Sequence, residues 1–220
     1  TNYPCLLTYS TAGHGGPNVL ERNLLWACGD HAIQAAADAV IRNNIILGAV
    51  QDGIRSQPHQ NGTPSNLVIT HNTVLAPANS AVSASGITGS VIIANNALFA
   101  QNGAAIQVAG NLSQLVVSGN AGSGGLVGVG SGFDPSGNIA LDLTAASYSG
   151  QLPQNVFPAS GSILLGAGNA AWLVADDFNY TARGTAADIG AYRFGPGGNP
   201  GWTLAEGFKP TFWIFSDGFE

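Results

Sequence analysis

Ionisable side chains crowd one part of this 220-residue chain. Glu21, Arg22, Asp30, His31, Arg42, Asp52, Arg55, His59 and His71 fall between positions 21 and 71, and the stretch that follows has almost none. Such groups could abstract a proton α to a carboxylate, a reaction that needs a base. It also needs a cation to stabilise the enolate-like charge that develops. Arg55 with His59 or His31 can fill those roles, with Asp52 as the group that orients the base. Arg22, Arg42, His71 and Gln34 are the candidate substrate-binding residues. A glycoside hydrolase needs carboxylates flanking a sugar, and Asp30 with Asp52 is the candidate pair. The only lysine is Lys209, far from this region, so a common lyase base is missing. The same residues also have a plainer reading. His31 with Asp52 makes a cross-strand pair worth ~0.2–1 kcal/mol, and Glu21 with Arg42 a surface ion pair worth little.

Metal chemistry has less to build on. The four histidines, His14, His31, His59 and His71, lack zinc-ligand spacing. Asp30, Asp52 and Asn79 form a candidate calcium set. No other cofactor is implied.

The elements that would position these groups are written as a repeat. Asn23, Asn44, Asn72, Asn96 and Asn120 are spaced 21, 28, 24 and 24 residues apart, a period typical of stacked-repeat proteins. Three residues before each asparagine stand Leu20, Ile41, Ile69, Ile93 and Val117. Two after it stand Leu25, Ile46, Val74, Leu98 and then Gly122. Ten after it stand Ile33, Ile54, Val82 and Ile106, and nine after it the small residues Ala32, Gly53, Ala81 and Ala105. The apolar runs are β-branched and too short for helices, with glycine, asparagine or serine at their corners. One such repeat cannot bury its own apolar face, so each must lie on the last as a parallel neighbour. The asparagines are expected to sit at corners that tolerate a left-handed backbone, and to hydrogen-bond up and down the stack.

The register predicts contacts. His31 falls beside Asp52 and then Ser80, Gln34 beside Arg55 and then Ser83, and Glu21 beside Arg42. The longest insertion, residues 56–66, carries His59 and is a candidate binding loop. Cys5 and Cys28 are 23 residues apart, about one repeat, which places Cys5 beneath Cys28 at a separation a disulfide tolerates. The alternative is two free buried thiols. A bridge implies an oxidising compartment, hence a secreted or cell-surface protein.

Over roughly residues 18–130 this pattern resembles the pectin-lyase-like proteins. The resemblance implies an all-β fold, a right-handed parallel β-helix of about five to seven coils with an irregular C-terminal cap and tail. The family spans lyases, hydrolases, epimerases, tailspikes and inert surface proteins. The segment Ile54-Arg-Ser-Gln-Pro-His59 is similar to the aspartate-proline-histidine segment of alginate epimerases, with Gln57 in place of the aspartate. Gly13-His14-Gly15 imitates a polygalacturonase tripeptide, but the paired aspartates of that group are absent. From Gly161 the text resembles the closing segment of bacterial β-helix proteins and ends Asp188-Ile-Gly-Ala-Tyr192, with Arg193 where the pattern has glutamate. By that resemblance Arg183 pairs with Asp188 or Asp177 in a buried structural contact.

Three segments follow: a β-helix with closing coils over 1–194, a turn-rich linker over 195–201, and an aromatic, acidic tail over 202–220. Burial of Phe212, Trp213 and Phe215 is expected in that tail, which resembles short C-terminal tails of secreted Gram-negative proteins. The chain begins in mid-coil, so missing N-terminal coils or a capping partner are expected at the open edge. Charged residues make up 8% of the chain and the net charge is −6. That balance argues against a nucleic-acid partner and against strong capture of polyanions. No apolar run is long enough to span a membrane. The leading expectation is a domain presenting a polar face to polysaccharide or another surface. A lyase or epimerase, then a hydrolase, and an oligomeric fibre module are the alternatives.

Overall fold

The structure is a computed structural model and describes residues 2–13, 15–76 and 78–208. The chain forms a parallel β-helix of about five turns. Each coil contributes a strand to each of three faces.

The first face stacks Asn18–Glu21, Ala39–Arg42, Asn66–Thr70, Ser90–Ala94 and Gln114–Ser118, all parallel. The second stacks Leu24–Cys28, Ile45–Ala49, Thr73–Ala76 and the first part of Ala97–Ala109, then the start of Asn120–Val127. The third stacks Leu6–Thr8, Ile33–Ala35, Ile54–Ser56 and Val82–Ser85, then the later parts of the same two long strands.

The columns read from the sequence are the columns of the core. Ile41, Ile69 and Ile93 are in register on the first face, and Ile33, Ile54, Val82 and Ile106 on the third. All are buried. Gly122 breaks the leucine column for a steric reason. Its φ is +148°, and a Cβ there would strike the Leu98 carbonyl in the coil below.

The asparagine ladder is continuous. The Oδ1 of Asn44 accepts from both the backbone N–H and the Nδ2 of Asn23, at 3.0 and 2.9 Å. The same double bond runs from Asn44 to Asn72, from Asn72 to Asn96 and from Asn96 to Asn120. From Asn44 onward each Nδ2 also donates to a carbonyl of the preceding coil, those of Leu20, Ile41, Ile69 and Ile93 in turn. These buried amides are therefore satisfied on both sides.

The left-handed backbone lies one residue earlier than expected. Arg22, Asn43 and His71 have φ of 53°, Asn95 57° and Gly119 63°. The ladder asparagines themselves have no positive φ. The sharp turn is made just before them, and their side chains are left to serve the interior.

Cys5 and Cys28 are bridged, with Cα atoms 5.6 Å apart. The pairing matches expectation, and its geometry does not. Leu6 pairs with Ile33, so Cys5 stacks on Ala32 at the start of the third face, whereas Cys28 pairs with Ala49 at the end of the second. The bridge therefore crosses a corner and does not join equivalent positions of successive coils.

Residues 139–208 add no further coil. They fold back along the second face, whose outward side chains are apolar. Ile45, Leu47, Leu75, Ala97 and Phe99 are covered there by Leu143, Phe157, Leu164, Phe178, Ile189 and Tyr192. The second face is thus buried on both sides, which is why its strands lack a polar alternation. Trp202 and Phe208 continue this packing, at 6.0 and 6.1 Å from the Phe178 ring. Lys209 and the tail with Phe212, Trp213 and Phe215 lie outside the described residues.

Arg183 holds the closing segment in place, by a different means from the expected carboxylate pair. It is fully buried, and its guanidinium donates to the carbonyls of Asp188, Gly190, Tyr192 and Asp176 and to the Asn43 side chain. The Asp188 carboxylate accepts instead from the N–H groups of Gly166 and Phe194. That of Asp177 accepts from Asn179, Thr181 and Arg193. Burial lowers the Arg183 pKa to about 10, against the pull of Asp177, Asp188 and Asp176, so the group stays charged at neutral pH.

Candidate functional site

With the second face covered, the polar side chains of the third face and its corners remain open. They line a groove of about 550 Å³ that includes His31, Asp52, Arg55, Gln57, Ser80 and Gln107. Stacking explains the convergence. His31 and Asp52 stand at the same corner of successive coils, while Arg55, Ser83 and Gln107 are outward positions of adjacent parallel strands.

Every group in the groove is held by another. The Asp52 Oδ1 accepts the Ser80 N–H at 3.0 Å. Its Oδ2 lies 3.5 Å from His31 Nδ1 and 3.5 Å from Arg55 Nη1. Arg55 donates to Ser83 Oγ at 2.6 Å, to Ser85 Oγ at 3.1 Å, and to Gln57 Oε1 from both Nε and Nη2. Gln57, the residue that departs from the epimerase-like segment, is thus a clamp on the arginine. Asn79 donates to Gln51 at 2.6 Å.

The state of His31 follows from this geometry. Its Nδ1 accepts the Asp52 N–H at 3.1 Å, so Nδ1 carries no proton and the neutral ring is protonated at Nε2. Burial lowers the His31 pKa, and Arg55 adds to this, against the opposing pull of Asp30 and Asp52. Neutral His31 has one lone pair already used and a proton on the other nitrogen. In this arrangement it is a hydrogen-bond donor and not a base. Its Nε2 is 3.8 Å from Asp30, too far for a hydrogen bond, so that donor is available to a ligand.

The other sequence-derived candidates lie elsewhere. His59 sits on the 56–66 insertion, where its backbone bonds twice to Gly62, and it does not line the groove. Gln34 is in the Arg55 column but buried. Arg42 is on the first face, bonded to Glu21 at 2.6 Å. Arg22 is buried beneath the closing segment, bonded to Asp176 and to the Asp177 carbonyl, with Tyr180 stacked 4.2 Å from its guanidinium. His71 is wholly buried, with Nε2 facing the Asn95 amide at 3.1 Å. Burial, reinforced by Arg183, lowers its pKa to about 3. Arg22 therefore binds the closing segment, and His71, packed in the interior, offers no surface to a ligand.

Two residues of the groove, Gln51 and Gln107, were missed from the sequence. The signal was present, since Gln51 stacks on Asp30 and Gln107 shares the Arg55 column, but neutral side chains draw no attention as chemistry. Of the calcium set, Asp52 and Asn79 line the groove and Asp30 does not. Among the described residues, no group of three or more His, Cys, Asp or Glu side chains could hold a metal ion. No described helix is long and apolar enough to cross a membrane. His14, of the Gly-His-Gly tripeptide, lies outside the described residues.

No protein-family model, no curated protein and no solved structure matches this chain.

Proposed function

We propose that this is a secreted or cell-surface β-helix domain whose third-face groove binds a glycan without cleaving it. The observation that carries this reading is the interlocked set of hydrogen bonds around Arg55, Asp52 and His31. Amide, hydroxyl and imidazole groups fixed on stacked strands suit a ligand that is mostly hydroxyl, because they lose little freedom on binding. The same interlocking weakens the catalytic alternatives. The His31 lone pair is engaged by a backbone N–H, and the Arg55 guanidinium is pinned by Ser83, Ser85 and Gln57. The disulfide and the resemblance to pectin-lyase-like proteins support an extracellular setting.

The test is calorimetric titration with a panel of neutral and uronic-acid oligosaccharides, each also assayed for new reducing ends and for unsaturated-sugar absorbance. The expected outcome is binding to some of the panel with no product. Arg55→Ala should weaken that binding about tenfold or more, because it removes the clamp that orders Gln57 and Ser83. Turnover of any bound glycan would favour the enzyme reading. Absence of binding across the panel would end the glycan reading altogether.

A further inference from the structure

A second groove, of about 440 Å³, lies at the far end of the same third-face strands. Tyr9, Thr11, Asp38, Asn61, Thr63 and Ser65 are among its lining residues. Its chemistry differs from that of the first groove. Tyr9 is 51% exposed, which leaves an aromatic surface open at the groove. Around it stand hydroxyl and amide groups. An exposed ring beside short hydroxyl side chains matches a sugar, whose C–H face packs on the ring while its hydroxyls bond at the rim.

The groove is built and held. The Asp38 carboxylate accepts from the N–H groups of Ser65 and Asn66 and from the Asn66 amide, which ties the end of the 56–66 insertion to the corner. Gly62 packs so closely that a Cβ would strike the carbonyls of both Ala36 and Tyr9. The insertion is therefore seated against the backbone that carries the tyrosine.

The two grooves share that insertion. Gln57 lines the first, and Asn61, Gly62, Thr63 and Ser65 line the second. Between them the backbone is drawn tight by the paired bonds of His59 and Gly62, at 3.1 and 2.9 Å. Tyr9 follows Thr8, which stacks on Ala35 and then on Ser56, so it lies two strands, or roughly 10 Å, from the Gln57 end of the first groove. That span is short enough for one oligosaccharide to cover.

From this juxtaposition we infer that Tyr9 is a sugar-stacking subsite, and that one glycan chain crosses the third face obliquely, from the Arg55 groove to the Tyr9 groove. This rests on the glycan reading of the first groove and adds a second contact and a direction. The insertion that carries His59 then serves as the ridge between two subsites.

Chain length separates this inference from the reading beneath it. The full protein is titrated with oligosaccharides of three and of six units, each length taken from β-1,4-glucan and from polygalacturonate. Six units of at least one polymer should bind about tenfold tighter than three. Tyr9→Ala should remove that gain while leaving three-unit binding as it was, and Tyr9→Phe should keep it. The wild-type length dependence needs no variant and stands even if Tyr9→Ala does not fold. Equal affinity for both lengths would overturn the crossing path and leave the first groove intact. A length gain that Tyr9→Ala preserves would overturn the tyrosine subsite. Failure of all four probes to bind would overturn both readings.

Discussion

Replacing Asn72 with alanine will destabilise the protein by about 3–5 kcal/mol. The size follows from what is left behind. The backbone N–H and the Nδ2 of Asn44 both lose their acceptor, the Asn72 Oδ1. The carbonyls of Ile41 and Thr70 lose a donor, and the Asn96 Oδ1 loses one of its two. All of this happens at a corner where Asn44, Asn72 and Asn96 are completely buried. Each stranded group costs its desolvation, about 1–3 kcal/mol, with partial relief from relaxation. The same change at Asn23 should cost less, since that residue is only partly buried and ends the ladder. Urea unfolding of the two variants checks this. Equal and small losses would show that the ladder is decoration on an apolar core.

Acid will loosen the closing segment, and His71 will be a principal cause. The folded pKa of about 3 lies below the ordinary 6.5, so between these values the unfolded chain binds a proton that the folded chain refuses. Stability therefore rises with pH in that window. The contribution is complete above pH 6.5 and is lost progressively as the pH falls toward 3. From pH 6.5 to pH 4 the loss amounts to about 3 kcal/mol. His31, also lowered, acts in the same direction. Burial is the first cause at His71, and the buried charge of Arg183 the second. The backbone carbonyls of Gly190, Trp172 and Asp188 oppose them. His71→Asn tests the assignment, because asparagine tolerates the left-handed φ of 53° and carries no proton. Denaturant unfolding at pH 7 and pH 4 should show a markedly smaller difference for the variant than for the wild type. An unchanged difference would move the cause to other groups.

The fold was legible because its signal is repeated. Five asparagines, three apolar columns and one column of small residues each specify the same register, and the contacts His31–Asp52, Arg55–Ser83 and Glu21–Arg42 follow from it. What repeats could not reveal is whatever crosses from outside the period. Arg22 and His71 read as surface cations because nothing in the register says that residues 169–192 lie over them. A local clue existed in Ile45-Ile46-Leu47 and Leu98-Phe99, where both faces of a strand are apolar. Cys5 read as a vertical neighbour of Cys28 because the first coil was taken to be of ordinary length. His31 read as a base, since type and neighbour were visible and the direction of the Asp52 N–H was not. The candidate site was found in outline through its charged members, while the neutral residues that shape it emerged only from the stacking.

The proposed function turns on a glycan binding in the third-face groove. The direct measurement is a backbone amide NMR titration of the isotope-labelled protein with the oligosaccharide that binds most tightly in the calorimetric panel. The amides that shift should cluster at His31, Asp52, Arg55, Gln57, Ser80 and Gln107, with the buried second-face strands unmoved. Saturable shifts confined to the first face around Glu21 and Arg42, or to the closing segment around Tyr180, would contradict it.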